Sequence, residues 1–198
     1  MGRDIYMCTE IKLESKNWVS ADDYYANPYY PRSFDGHRQA YILKPIYDVR
    51  DRTLFSILCE GAGYDLNPSI SPPKGMPLDC CNRIKQDCRS FGEDEFMHSY
   101  LTLKEIEEHA KKLGHIRYSG YVENEEVNQV LNGVPPTSWS KGVGHPENYN
   151  WLEWDVDEKP LQQIIASLQK ILAEKSSIFL LPYKLSKECI RIVFWFYD

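Results

Sequence analysis

The segment that most constrains the fold is Ile190-Arg191-Ile192-Val193-Phe194-Trp195-Phe196-Tyr197-Asp198. Read as a strand, it points Ile190, Ile192, Phe194 and Phe196 to one face and Val193, Trp195 and Tyr197 to the other. Both faces are then apolar, and such a strand needs cover on both sides. The expectation is an interior strand with a packed layer above and below it, and with Asp198 at the sheet's rim.

Residues 4–13 alternate in the same way. Ile5, Met7, Thr9, Ile11 and Leu13 share one face, and the wetter face carries Tyr6, Cys8, Glu10 and Lys12. This predicts a second strand, with a short return at Trp18-Val19. The two long strands are natural neighbours at the centre of one sheet. Two helices are expected to pack on it. Thr102 and Glu105 form a capping box ahead of the stripe Leu103, Ile106, Ala110 and Leu113, and Gly114 supplies the stop. Pro160 opens a second helix to about Lys175, with Leu161, Ile164, Ile165, Leu168, Ile171 and Leu172 at helical spacing. Shorter pieces are expected as helices at 51–59, 78–90 and 124–132. Brief strands are expected at 41–43, 115–122 and 178–181. The fold class is α+β: a central mixed or antiparallel sheet holding the first and last strands, packed by helices near 102–113 and 160–175, with long loops. All 198 residues fit one domain.

Composition bounds the function. A net charge of -6 argues against binding an extended nucleic acid, which wants a basic surface. No apolar run approaches the ~20 residues of a membrane span, so no membrane partner is expected. The charged start Met1-Gly2-Arg3-Asp4 is unlike a secretory leader, and the six cysteines are therefore expected to be reduced thiols inside a cell. There is no P-loop, GxGxxG, HExxH, GxSxG or EF-hand pattern.

Five constellations remain. Residues 21–40 have no period and predict a Tyr-rich loop insertion. Tyr24, Tyr25, Tyr29, Tyr30 and Phe34 interleave there with Arg32, His37 and Arg38. Rings of this kind stack a base while Arg forks a phosphate; without a ligand, the same loop is a flap packed on the core edge. His98 and Ser99 precede the capped helix, near backbone N–H groups that favour anions. His98 is a candidate base or metal ligand with Asp94, or else an ordinary hydrogen-bonded His. Asp4, Tyr6 and Glu10 share a strand face, with Asp198 nearby, and converging carboxylates can hold a divalent cation; a solvated sheet face reads the same. Cys80, Cys81 and Cys88 lack CxxC spacing and read first as core thiols, and second as part of a zinc site. Trp151 and Trp154, among Glu153, Asp155, Asp157 and Glu158, are either a binding edge or anchors of a loop.

Several short blocks together resemble a known family. They are Met1-Gly2-Arg3-Asp4-Ile5-Tyr6, Arg52-Thr53-Leu54-Phe55-Ser56-Ile57-Leu58, Pro73-Lys74-Gly75-Met76-Pro77, His98-Ser99-Tyr100-Leu101-Thr102-Leu103-Lys104-Glu105 and Arg191-Ile192-Val193-Phe194-Trp195-Phe196. Their order is similar to that in a family of tailed-bacteriophage and prophage proteins of unassigned activity. Its members open Met-Gly-x-Asp-Ile-His, carry a Gly-Leu-Pro turn and a His-Ser-x-Ser-Trp-Leu stretch, and end near a Phe-Trp-Phe strand. Tyr6 stands here where the family has His, and the His-Ser run is shortened to His98-Ser99-Tyr100. If the two family histidines cooperate, this chain has lost one, so the expectation leans away from catalysis.

The resemblance implies a viral accessory protein in the host cytoplasm. Together with the tyrosine loop it leads to one expectation: binding of a small nucleotide-derived molecule, with sequestration of a host immune signal as one use. The contacts expected are Tyr24, Tyr25, Tyr29, Tyr30, Arg32, His37, Arg38, His98 and Ser99. No cofactor or resident metal is expected. A second copy of the chain and a host protein are further candidate partners. The alternatives are a metal-dependent hydrolase or phosphodiesterase using Asp4, Glu10, His98 and Asp198, and an inhibitor that docks on a host protein.

Overall fold

The computed structural model describes residues 4–28, 30, 40–64, 66–90, 95–157, 159–178 and 185–197, with side chains of the long helix described to 175. Among these the chain is α+β. Strands β1 (Asp4–Lys12), β2 (Trp18–Ser20), β5 (Glu95–Thr102) and β8 (Ile190–Tyr197) form an antiparallel sheet in the order β2-β1-β8-β5. The first and last strands pair along their whole length, from Asp4 opposite Tyr197 to Ile11 opposite Ile190.

The terminal strand is covered on both faces, as its sequence requires. Ile190, Ile192, Phe194 and Phe196 join the main core with three helices. These are α1 (Arg52–Leu58), α3 (Leu103–Leu113) and α5 (Lys159–Ile178). Val193 and Trp195 face a second core formed with Cys8, Leu43, Cys80, Ile84 and Cys88. Its cover is α2 (Asn82–Arg89) and the hairpin of β3 (Asp23–Ala26) with β4 (Tyr41–Lys44). The helix ends are those the sequence dictates. Asp51 accepts from the Thr53 and Leu54 N–H groups at 3.0 Å each, capping α1. Thr102 and Glu105 form the reciprocal box at α3, and Gly114 ends it at φ +71°.

A two-stranded arm joins the main core from the helix side. Strands β6 (His115–Glu123) and β7 (Tyr149–Asp157) pair from His115–Asp157 to Glu123–Tyr149. Ile116, Tyr118, Val122 and Trp154 point from the arm into the core. The small helix α4 (Val127–Leu131) lies between the two strands in sequence.

Several local expectations are corrected. Residues 21–40 are not loop throughout: Tyr24 and Tyr25 lie on β3, because 23–26 finds a partner in 41–44. The segment 151–157 is strand. Leu152, Trp154 and Val156 turn inward, while Trp151, Glu153, Asp155 and Asp157 are exposed. His98 and Ser99 sit inside β5 rather than beside a helix N-terminus. Helix α2 starts at Asn82, not near 78; Leu78 is exposed, and the Cys81 N–H is held by Glu10 at 2.6 Å. Ile178 ends α5, and residues 179–181 lie outside the described residues. The face of β1 expected to be wet is dry at Cys8 and Glu10, both fully buried. Among the described residues no helix is long and apolar enough to cross a membrane.

Candidate functional site

A cavity of about 530 Å³ opens between the start of α1, the loop after it and the β6–β7 arm. Its position follows from local chemistry. Asp51 caps α1 through one carboxylate oxygen and accepts from the Tyr118 hydroxyl through the other, at 2.5 Å. The cap therefore ties the helix N-terminus to β6. Burial, with Asp51 adjacent, raises the Tyr118 hydroxyl well above its ordinary pKa, so it stays a donor. Gly63 lies so close to the turn above it that a Cβ would sit 1.7 Å from the Arg52 carbonyl oxygen. Only glycine allows that approach, and it delivers Tyr64 to the cavity wall.

Four rings line the space: Tyr64, Tyr118, Trp139 and Trp154. Tyr118 and Trp154 are nearly parallel, 16° apart with centroids at 6.3 Å. Trp139 meets both edge-on, at 5.7 and 5.6 Å. It reaches them because Ser140 bridges to Tyr121 as a fragment of a third strand across Gly120. A Cβ on Gly120 would lie 2.8 Å from the Trp139 ring.

Three cationic side chains share the lining. Lys141 donates to Ser119 Oγ at 2.6 Å, and its Nζ lies 4.2 Å from the Tyr64 ring centroid and 4.9 Å from that of Trp151. Burial lowers its pKa below the ordinary lysine value, and it forms no ion pair among the described residues. Arg52 lies over the Tyr64 ring at 6.0 Å. Arg50 pairs with Asp4 and is more than half exposed. A cavity of this size with aromatic walls and a cationic rim suits a flat ligand carrying negative charge.

The sequence-derived candidates are dispersed. Tyr24 packs inward: its hydroxyl donates to Asp87 at 3.4 Å, the Arg83 guanidinium lies 4.5 Å over its ring, and burial pushes its pKa up to about 12. Tyr25 and Tyr30 are half exposed, and neither lines the 530 Å³ cavity. Tyr29, Arg32, Phe34, His37, Arg38, Asp94 and Asp198 lie outside the described residues. Ser99 is fully buried and receives the Lys74 N–H, while His98 faces the opposite side of the sheet. Asp4 and Glu10 do not converge. Six residues of strand put about 20 Å between them, Asp4 pairs with Arg50, and Glu10 is sealed against Arg191 at 2.7 Å.

His98 does find neighbours. Its Nε2 lies 3.2 Å from Cys88 Sγ and 3.5 Å from a Glu95 oxygen, and Cys88 donates to Glu95 at 2.8 Å. These three side chains are the group among the described residues whose donor atoms could hold a metal ion. Of the aromatic cavity, only Trp154 was marked by sequence. Arg50, Tyr64, Trp139 and Lys141 carry no motif, and Arg52 only opens the block 52–58; the available signal is a second long Pro/Gly-rich excursion, 134–150, which contains Trp139-Ser140-Lys141. Neither a family model, a curated protein sequence nor a solved structure matches the chain.

Proposed function

We propose that the protein binds a small nucleotide-derived molecule in the cavity between α1 and the β6–β7 arm, as a viral accessory protein that sequesters a host signal. The observation that carries this reading is the meeting of four aromatic rings with Arg50, Arg52 and Lys141 around one space of about 530 Å³. A base slides against the rings, and a phosphate takes the Arg52 guanidinium and the Lys141 ammonium, with Arg50, held by Asp4, adding positive charge at the rim. The resemblance of several short blocks, in order, to those of phage proteins supports the viral setting. A net charge of -6 is no obstacle, because one local pocket suffices. The reading keeps the ligand class expected from sequence and moves its seat from the tyrosine hairpin to the arm.

Thermal unfolding in the presence of cyclic nucleotides and ADP-ribose derivatives tests it. A ligand at 100 times its Kd stabilises by about 2.7 kcal/mol, which in a chain of this size raises Tm by roughly 5–10 °C. Trp139→Ala and Lys141→Gln should abolish the shift, whereas Tyr25→Ser and Tyr30→Ser should keep it. The ligand recovered afterwards should be chemically unchanged. No shift with any nucleotide, or a shift lost only in the hairpin variants, refutes this seat.

A further inference from the structure

We propose that Cys88, Glu95 and His98 form a site for one divalent transition-metal ion of the zinc class, with a free coordination position facing a cleft that holds Lys85 and Arg89. The site is independent of the aromatic cavity. Cys88 belongs to the second core, on the face of the central sheet opposite α1, α3, α5 and the arm.

The three donors are a thiol, an imidazole and a carboxylate, the mixed S, N and O set that a borderline-soft ion takes and that Mg2+ and Ca2+ do not. Cys88 Sγ lies 3.2 Å from His98 Nε2 and 2.8 Å from one Glu95 oxygen, the other Glu95 oxygen lies 3.5 Å from Nε2, and one donor atom from each residue falls within 4.8 Å of the other two. A tetrahedral zinc ion would hold such atoms about 3.3–3.6 Å apart, so closing on an ion needs shifts on the order of 1 Å. Three protein ligands leave the fourth position open, the pattern of a site that also takes water or a substrate oxygen. That position faces a cleft of about 390 Å³ with Lys85 and Arg89 on its wall. An anionic oxygen ligand, such as a phosphate or carboxylate, suits it.

The backbone is bent to make this group. Glu95 and His98 are three residues apart, so an uninterrupted strand would place them on opposite faces. The pairing of β5 with β8 shifts between Phe96–Phe196 and Ser99–Phe194, setting Met97 and His98 against the single residue Trp195. Met97 takes up the extra residue at φ +52°, a conformation uncommon for a non-glycine residue. Met97 turns with Phe96 toward the main core, and His98 comes round to the Glu95 side. There its ring rests 6.1 Å from Trp195, over the last turn of α2 where Cys88 sits. Bulges of this kind re-aim side chains beside functional sites.

The test uses the full chain, stripped with chelator and titrated with Co2+ and Zn2+. One ion should bind per chain. The Co2+ form should show a thiolate-to-metal charge-transfer band together with the intense visible bands of four-coordination, and Zn2+ should displace both. Cys88→Ser should remove the charge-transfer band, and His98→Gln should weaken Co2+ binding at least tenfold. Cys80→Ser and Cys81→Ser should leave both unchanged. Far-UV circular dichroism confirms that each variant is folded, and Cys88→Ala serves where Cys88→Ser does not fold. No charge-transfer band in the folded protein, a band that survives both Cys88 variants, or one that disappears with Cys80 or Cys81 overturns the assignment and leaves the three side chains as a hydrogen-bonded cluster.

Discussion

Arg191 and Glu10 sit directly opposite each other on β8 and β1, 4% and 0% exposed. The guanidinium donates to one Glu10 oxygen through Nε at 2.8 Å and Nη2 at 2.7 Å, and Nη2 also reaches Asp79 at 2.9 Å. Trp18 stacks on the guanidinium at 3.8 Å and donates its own N–H to Asp79. The other Glu10 oxygen holds the Cys81 N–H at the entry to α2. Removing Arg191 strands a fully buried carboxylate with one backbone donor, which costs about 3–5 kcal/mol. Loss of the Trp18 stack adds roughly 1 kcal/mol, so Arg191→Leu should fall near 5 kcal/mol. Glu10→Gln should cost about 3 kcal/mol, the lower end, because Asp79 still neutralises the cation. The pair Glu10→Leu/Arg191→Leu should recover most of the loss, since no buried charge is left alone. Urea unfolding with constant m measures all three. At roughly 2–4 °C per kcal/mol, Arg191→Leu lowers Tm by about 10–20 °C, a large share of a typical stability of about 5–15 kcal/mol. Single variants that each cost under about 1 kcal/mol, or a double variant equal to the sum of the singles, would refute the reasoning.

Two further outcomes follow from buried polar groups and close packing. Burial pushes Asp22 up to about 7, against the Thr9 and Ser20 hydrogen bonds that pull it down. The folded protein then keeps a proton that the unfolded chain releases near pH ~4, so stability is full below that value and is lost as pH rises to about 7. The three-unit span corresponds to at most about 4 kcal/mol; urea midpoints at pH 5 and 8 should differ in the native chain and converge in Asp22→Asn, and equal midpoints in the native chain sink the claim. Gly120→Ala puts a Cβ at 2.8 Å from Trp139 and 3.0 Å from the Ser140 carbonyl, which should cost about 1–3 kcal/mol, change the near-UV circular dichroism of the tryptophans and weaken nucleotide binding; unchanged affinity would separate Trp139 from the ligand.

Legibility in the sequence depended on whether a feature is local. The α3 cap, the Asp51 cap and the two-sided grease of 190–197 involve residues within a few positions of each other, and each stands in the structure as its spacing dictates. Strand β7 is legible in its alternation of Leu152, Trp154 and Val156 with exposed residues, although the acids between them read equally as a charged edge. The paired carboxylates of β1 illustrate the opposite limit. Side-chain parity on one strand says nothing about which cation the neighbouring strand supplies, and Arg50 and Arg191 are 46 and 181 residues away from their partners. The aromatic cavity draws on positions 50–52, 64, 118, 139–141 and 154, so no window contains it. The Glu95–His98 pairing was harder still, because ordinary strand alternation forbids it and only the bulge at Met97 permits it.

The central sheet also decides how the two proposed sites relate. Strand β8 fills both faces with large side chains, and Phe194, Trp195 and Phe196 are each fully buried. Among the described residues, this close-packed layer stands between the arm-side cavity and the Cys88 cluster. The two sites therefore cannot share reacting atoms, and a nucleotide bound among the rings of the arm is out of reach of an ion held by Cys88, Glu95 and His98. One contact route between them runs through the packing of β8: Phe196 touches Phe55 of α1 on one face, and Trp195 underlies His98 on the other. A metal that tightens His98 on Trp195 while leaving nucleotide affinity unchanged fits two separate functions on one scaffold. A change in one affinity on filling the other site would instead show that β8 adopts two packings, because a close-packed strand transmits a distant event only by switching between discrete arrangements.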